Sequence, residues 1–146
     1  MLEKIGDLDV RNVVVLSGDV HVGLAAELAE TPWLPPVAVE FVNASLTSQN
    51  LDDKMGWQPR ADSIAIEEAL LAGMPHLHYI DLDSHGYSIV DLDQDRLRFE
   101  WWTVEALDRR VPGQVLAASM AVRHGEPRLL DEGTPAAATP IGLPIA

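Results

Sequence analysis

The stretch that most constrains this chain runs from Asn12 to His21, Asn-Val-Val-Val-Leu-Ser-Gly-Asp-Val-His. Val13, Val14, Val15 and Leu16 form an unbroken apolar run of bulky, mostly β-branched residues. Such a run predicts a strand buried on both faces, because a strand with one wet face would alternate. Ser17 and Gly18 end it, and glycine permits a sharp turn that a side chain would block. Asp19 and His21 follow, so the strand delivers a carboxylate and an imidazole to its C-terminal end. In layered α/β folds ligands sit outside the carboxyl ends of strands, and these two groups are common oxygen and nitrogen ligands for metals. A competing reading makes Asp19 the cap of a helix from Val20, since Leu24, Ala25, Leu28 and Ala29 recur at helical spacing. His21 is then an ordinary first-turn histidine. A strand of this kind so near the first residue also predicts partner strands upstream of it.

The remaining pattern is mostly of period two. Residues 1–11 carry Leu2, Ile5 and Leu8 on one helical face. Residues 22–30 fit a strand by alternation and a helix by their alanine and glutamate content. Residues 37–42 predict a second strand, with Val37, Val39 and Phe41 on one face and Ala38, Glu40 and Val42 on the other. Residues 43–60 read as a polar loop. Residues 61–73 read as a helix, capped by Asp62 or Ser63 and ended by Gly73. Three alternating segments within 76–105, separated by turns at Ser84-His85-Gly86 and Asp93–Arg96, predict an antiparallel meander. Residues 106–115 read as a linker, 115–122 as a strand or helix, and the Pro/Ala-rich end as a loose tail.

Composition bounds the function. The 146 residues suit one domain with a real core, being 47% hydrophobic. A formal net charge of −13 argues against a nucleic-acid or anionic-membrane partner. A chain this acidic would handle phosphate through cations, which separate phosphate from carboxylate. The absence of cysteine excludes disulfides, thiolate zinc sites and iron–sulfur clusters. No apolar run approaches a membrane span, and the first residues lack a signal-peptide pattern.

The candidate polar set is Asp19, His21, Glu40, Asn43, His76, His78 and His85. His76 and His78 share a strand face, within reach of one metal, although a solvent-facing role fits His78 better. His76 follows Pro75 at a loop-to-strand junction, where functional residues gather. His85 and His124 read as exposed turn residues. The Asp81-Leu-Asp83 and Asp91-Leu-Asp93 pairs read as turn-capping carboxylates rather than a calcium loop. No phosphate-binding glycine loop and no Gly-x-Ser-x-Gly elbow is present.

Five segments, in order, resemble the PhoD-like alkaline phosphatases: 14–21 with Ala25–Leu28 behind it, 36–48, Met74–Asp81, His85-Gly86-Tyr87, and Glu100–Val104. The resemblance implies the C-terminal part of a calcineurin-like metallophosphoesterase over 1–130, followed by a Pro/Ala-rich tail over 131–146. The fold class it implies is α+β: the β-sandwich half of such an enzyme, with mixed and antiparallel strands and one or two helices. It implies a binuclear centre, iron and calcium by family habit, whose activated water attacks a phosphomonoester or diester in line. The family's Gly-Asp-x-His motif falls on Gly18, Asp19 and His21, making Asp19 and His21 metal ligands and His21 a catalytic residue. Glu40, Asn43 and His76 would lie around the metals or the substrate. The family's upstream motifs, which supply more than half of the ligands, have no counterpart here, and Met74 stands where many relatives have Asn. The chain alone is therefore expected to bind metal weakly and to catalyse poorly or not at all. Its expected partners are a phosphoester small molecule and either an upstream N-terminal half or a second copy. The alternative is a non-catalytic β-rich domain that oligomerises.

Overall fold

A computed structural model describes residues 1–105, 107 and 113–132. Two four-stranded sheets face each other. The first has strand order β1-β3-β2-β4, from Val14–Ser17, Ala38–Val42, Gly23–Leu28 and Leu77–Asp81. The second runs β5-β6-β7-β8 as an antiparallel meander of Gly86–Leu92, Arg96–Val104, Gln114–Arg123 and Leu129–Asp131. Three helices flank the strands: α1 (Leu2–Asp7), α2 (Leu51–Met55) and α3 (Ile64–Gly73). The fold is the β-rich α+β arrangement that the family resemblance implies. The 106–115 linker lies largely outside the described residues, as does the tail from residue 133 on.

The inner faces meet in an aromatic core. Val39 and Phe41 of β3 and Ala25 of β2 are fully buried and pack against Phe99, Trp101, Met120 and Val122 of the second sheet. Phe41 stacks on Phe99 with ring centroids 4.8 Å apart, and the Trp101 indole N–H donates across the layers to the Val42 carbonyl at 2.9 Å. Period-two burial along β6 follows from Leu97, Phe99 and Trp101 facing inward.

Three expectations need correction. β1 is not buried on both faces. Among the described residues it pairs only with β3, in parallel, at the edge of its sheet, and Leu16 is 54% exposed. Val14 and Val15 are half-buried, and an apolar run does not distinguish an edge strand from a central one. Second, β4 does not join a meander with β5. It pairs with β2 in the first sheet, and residues 82–85 carry the chain across to the second. Alternation cannot tell a hairpin from a short crossover, because both leave the strands themselves unchanged. Third, the polar segment 43–60 contains α2. A capping pattern starts it at Asn50, and Gly56 at φ 68° ends it.

Candidate functional site

The register places the ends of three strands together. Ser17 pairs with Val42, Val42 with Leu24, and Leu24 with Ile80. β1, β3 and β4 therefore finish, and β2 starts, at the same end of the first sheet. The loop after β1 lies at this end with Asp19 and His21.

That loop is strained. The Val20 N–H donates to the Gly18 carbonyl at 2.9 Å, a three-residue turn centred on Asp19 at φ 72°. His21 is also left-handed, at φ 59°. Non-glycine residues in this region cost about 1–3 kcal/mol each, and such strain concentrates at ligand clamps. The expected glycine turn is displaced by one residue: Gly18 is not left-handed, and a Cβ there would find its nearest neighbour 3.9 Å away. The helix-cap reading of Asp19 also falls, since β2 and not a helix comes next.

The His21 ring is fixed by one contact. Its Nδ1 lies 2.7 Å from the Gln49 carbonyl oxygen. A carbonyl only accepts, so Nδ1 carries a proton, and in the neutral ring Nε2 keeps its lone pair. This is how metal-ligating histidines are commonly held. Asp19 is exposed and His21 half-buried on an open surface. A carboxylate oxygen and an imidazole Nε2 fit the donor chemistry of a catalytic metal, but they supply only part of the four or more ligands one needs.

The other expected residues divide. The Asn43 N–H donates to the Ser17 carbonyl at 3.0 Å, which places Asn43 at the same strand end. Its side chain is committed: Nδ2 donates to the Ala44 carbonyl at 2.8 Å and Oδ1 accepts from the Ser88 hydroxyl. Glu40 sits nearer mid-strand and accepts from the Ser17 hydroxyl at 2.7 Å. His76 is not brought to Asp19 and His21. Its carbonyl accepts from the Glu27 N–H at 2.8 Å, beside Leu28 where β3 begins, at the opposite end of the sheet. There it lines a cavity of about 290 Å³ with Glu27, Pro36 and Arg128. His78 lies 3.5 Å from Glu27. His85, expected to be exposed, has a side chain only 16% exposed, with Nδ1 3.3 Å from the Ser45 carbonyl and Nε2 3.7 Å from Asp53.

One cluster escapes the sequence pattern. Glu67 of α3, Asp81 at the end of β4 and Asp83 just beyond it are all buried, with ligand oxygens within 4.8 Å of one another. Such a set of hard oxygens could hold a metal. Arg60 already places a cation there: Nη1 lies 2.9 Å from Glu67, 3.2 Å from Asp81 and 3.0 Å from Asp83. Asp83 also accepts from the Ser63 hydroxyl and the Arg60 N–H, both at 2.6 Å. Burial opposes the charge of Asp83, but Ser63 and Arg60 overcome it and hold its carboxyl below the usual range. Burial likewise works against the Arg60 guanidinium, and Asp81, Glu67 and Asp83 outweigh it and raise its pKa. The Asp-Leu-Asp spacing alone suggested turn caps. That holds for Asp81, which accepts from the N–H groups of Asp83 and Ser84, and for Asp93, which accepts from Asp95 and Arg96.

The family model described as PhoD-like phosphatase matches residues 1–101. Among solved structures, one titled "Structure of PhoD" shares the fold with a TM-score of 0.72 and 23% identity, over 92% of this chain and 25% of that one. At this identity the likeness is one of fold, and the chain spans about a quarter of that protein's length. No curated protein matches the sequence.

Proposed function

Because the chain belongs to the PhoD-like phosphatase family, we propose that Asp19 and His21 form part of the metal centre of a phosphoester hydrolase. The observation that carries this reading is the His21 ring, held by the Gln49 carbonyl with Nε2 left to bind a cation, in a strained loop shared with Asp19. Calcium and iron are the metals the family resemblance suggests. Bound there, such ions would polarise a phosphoryl oxygen and lower the pKa of a bound water. The chain's own part is narrower. Asp19 offers negative charge, and His21 offers a nitrogen donor in a set orientation. The strained loop keeps the two from wandering. Asn43 holds the ends of β1 and β3 in line, so the loop leaves the sheet in one direction.

The substrate proposed is a phosphoester small molecule. A net charge of −13 would repel it unless cations intervene, which agrees with a metal-dependent site. Two ligands make a weak centre, so the chain by itself should turn over p-nitrophenyl phosphate slowly or not at all with calcium and iron present. Calorimetric titration of each metal into the chain tests the assignment. Weak binding that disappears in both Asp19→Asn and His21→Ala supports it. Binding unchanged in both variants removes these residues from the site, and robust turnover by the chain alone refutes the expected loss of activity.

A second reading rests on the open edge of β1, where Leu16 is 54% exposed. Unpaired strand edges recruit other chains, so the edge suits either another part of a longer phosphatase or a second copy. Sedimentation across a concentration series separates them: a chain that stays monomeric excludes the second copy.

A further inference from the structure

Gln49, whose carbonyl sets the His21 ring, lies in a loop with no sheet partner of its own. Its position is instead inherited through a continuous set of hydrogen bonds. The next residue, Asn50, is fully buried and donates from Nδ2 to the Asp83 carbonyl at 3.1 Å. The Leu51 N–H donates to the Leu82 carbonyl at 3.3 Å. Residues 82 and 83 are in turn gripped by the acidic cluster. The Leu82 N–H donates to Glu67 at 2.9 Å, and the Asp83 N–H to Asp81 at 3.2 Å. The Asp83 carboxylate is held by Ser63 and by the Arg60 main chain. A single nitrogen, Arg60 Nη1, touches all three carboxylates. Arg60 itself is left-handed, at φ 53°.

Three carboxylates this close repel one another unless a cation lies among them. Without the guanidinium the three carboxylates are left to repel one another, and two of them stand on residues 81–83. Those residues carry the two carbonyls on which Asn50 and Leu51 hang. We propose that the Arg60–Glu67–Asp81–Asp83 cluster is a positioning device for His21, holding the Gln49 carbonyl in place through Asn50 and Leu51 and so keeping the imidazole in its Nδ1–H tautomer. Arg60 Nη1 already supplies the positive charge among these carboxylates. Arg60, Asn50 and Asp83 are positioning residues, acting on the proposed ligand through a main-chain carbonyl. Its importance for metal binding rests on the reading of His21 as a ligand.

The test is nitrogen NMR of the histidine side chains in the full, metal-free chain at about pH 8, where histidine is neutral. Loss of signals in His21→Gln identifies the His21 resonances. The wild-type chain is expected to show His21 as a single Nδ1–H tautomer. Arg60→Gln should convert it to a mixture of both tautomers. Arg60→Lys should restore the single form, because one nitrogen makes all three contacts and an ammonium can take its place. Asn50→Ala leaves the cage intact and should also release the ring, and it decides the matter if Arg60→Gln does not fold. A mixed tautomer in the wild-type chain overturns the proposal at once. So does an Arg60→Gln or Asn50→Ala chain that folds, by its dispersed amide spectrum, yet keeps the single tautomer. Manganese(II) added alone separates this from the metal assignment. If the tautomers behave as expected but His21 signals stay sharp, positioning stands and the ligand role fails. Broadened His21 signals with unchanged tautomers in the folded variants overturn positioning and keep the ligand role.

Discussion

Two residues show how local geometry assigns roles that residue type alone does not. Asp19 occupies a left-handed turn that glycine would occupy without cost. If the carboxylate is there for a cation, the fold tolerates the strain for its sake. Asp19→Gly is then expected to leave urea stability unchanged or raised by up to about 1 kcal/mol, while calorimetric metal binding is lost. A clear loss of stability would instead make the Asp19 side chain a structural support. Gly86 is the opposite case. A Cβ placed on it would lie 2.1 Å from the Trp102 carbonyl oxygen, which is backbone and cannot rotate away. Gly86→Ala should cost about 3 kcal/mol or more by the same measurement, and a cost under about 1 kcal/mol would mean that β5 and β6 can separate at little expense. The glycine of His85-Gly86-Tyr87 thus serves the pairing of β5 with β6, at the point where the chain enters the second sheet.

Among elements, the most telling is the unit made by the loop before α3, the start of α3 and the end of β4. It ties a surface segment to the sheet by ionic contacts rather than by apolar burial. Arg60→Met would leave three buried carboxylates facing one another. Breaking a buried ion pair costs about 3–5 kcal/mol, but Arg60 is half-exposed, so screening reduces the expected loss to about 1–3 kcal/mol at pH 7. The pH dependence follows from Asp83, whose carboxyl is held below its ordinary value in the folded chain. The unfolded chain takes up a proton there first, near the ordinary aspartate pKa of about 3.9. The stabilisation is therefore complete above that pH and is lost as the pH falls towards the depressed folded value. Arg60→Met should make this acid limb shallower, since only the Ser63 hydroxyl and the main-chain N–H of residue 60 are then left to offset burial and hold Asp83 low. Urea midpoints between pH 3 and 7 would show it, and parallel curves for the two proteins would detach Arg60 from the Asp83 titration. The helix and the strand of this unit were visible in the sequence, but its ionic contacts were not. Its partners stand 7, 21 and 23 residues from Arg60, and no periodicity connects them. The second strand, the long helix and the alternation of β6 were legible because apolar spacing alone dictates them. The loop carrying Asp19 and His21 was legible because a strand of valines must end somewhere, and the polar residues just past that end stand out. The edge position of β1 was not, since an apolar run does not record which strands pair beside it.

At the scale of the described fold, the aromatic layer fills the space between the two sheets, and polar bonds such as Glu27–Arg128 and Asn43–Ser88 link them at its margins. Each sheet alone presents one apolar face and would be marginal in water. Phe41 is the natural test, since it is fully buried in the first sheet, stacks on Phe99 and tilts against Trp101 in the second. Truncation to alanine removes the ring from both contacts and leaves a cavity that neither sheet can close by itself, at a cost of about 3–5 kcal/mol. The loss should also be shared. If the aromatic layer makes one cooperative unit, tryptophan fluorescence, read in a Trp33→Phe, Trp57→Phe background so that it reports on the second sheet through Trp101 and Trp102, and amide exchange in β2 and β3 should shift together in Phe41→Ala. If fluorescence keeps its wild-type midpoint while β2 and β3 exchange early, the second sheet folds on its own. The His21 loop would then rest on a layer that can open separately from the meander behind it. Coincident shifts would tie the proposed ligands, through Phe41 and the Trp101–Val42 hydrogen bond, to the stability of the entire described fold.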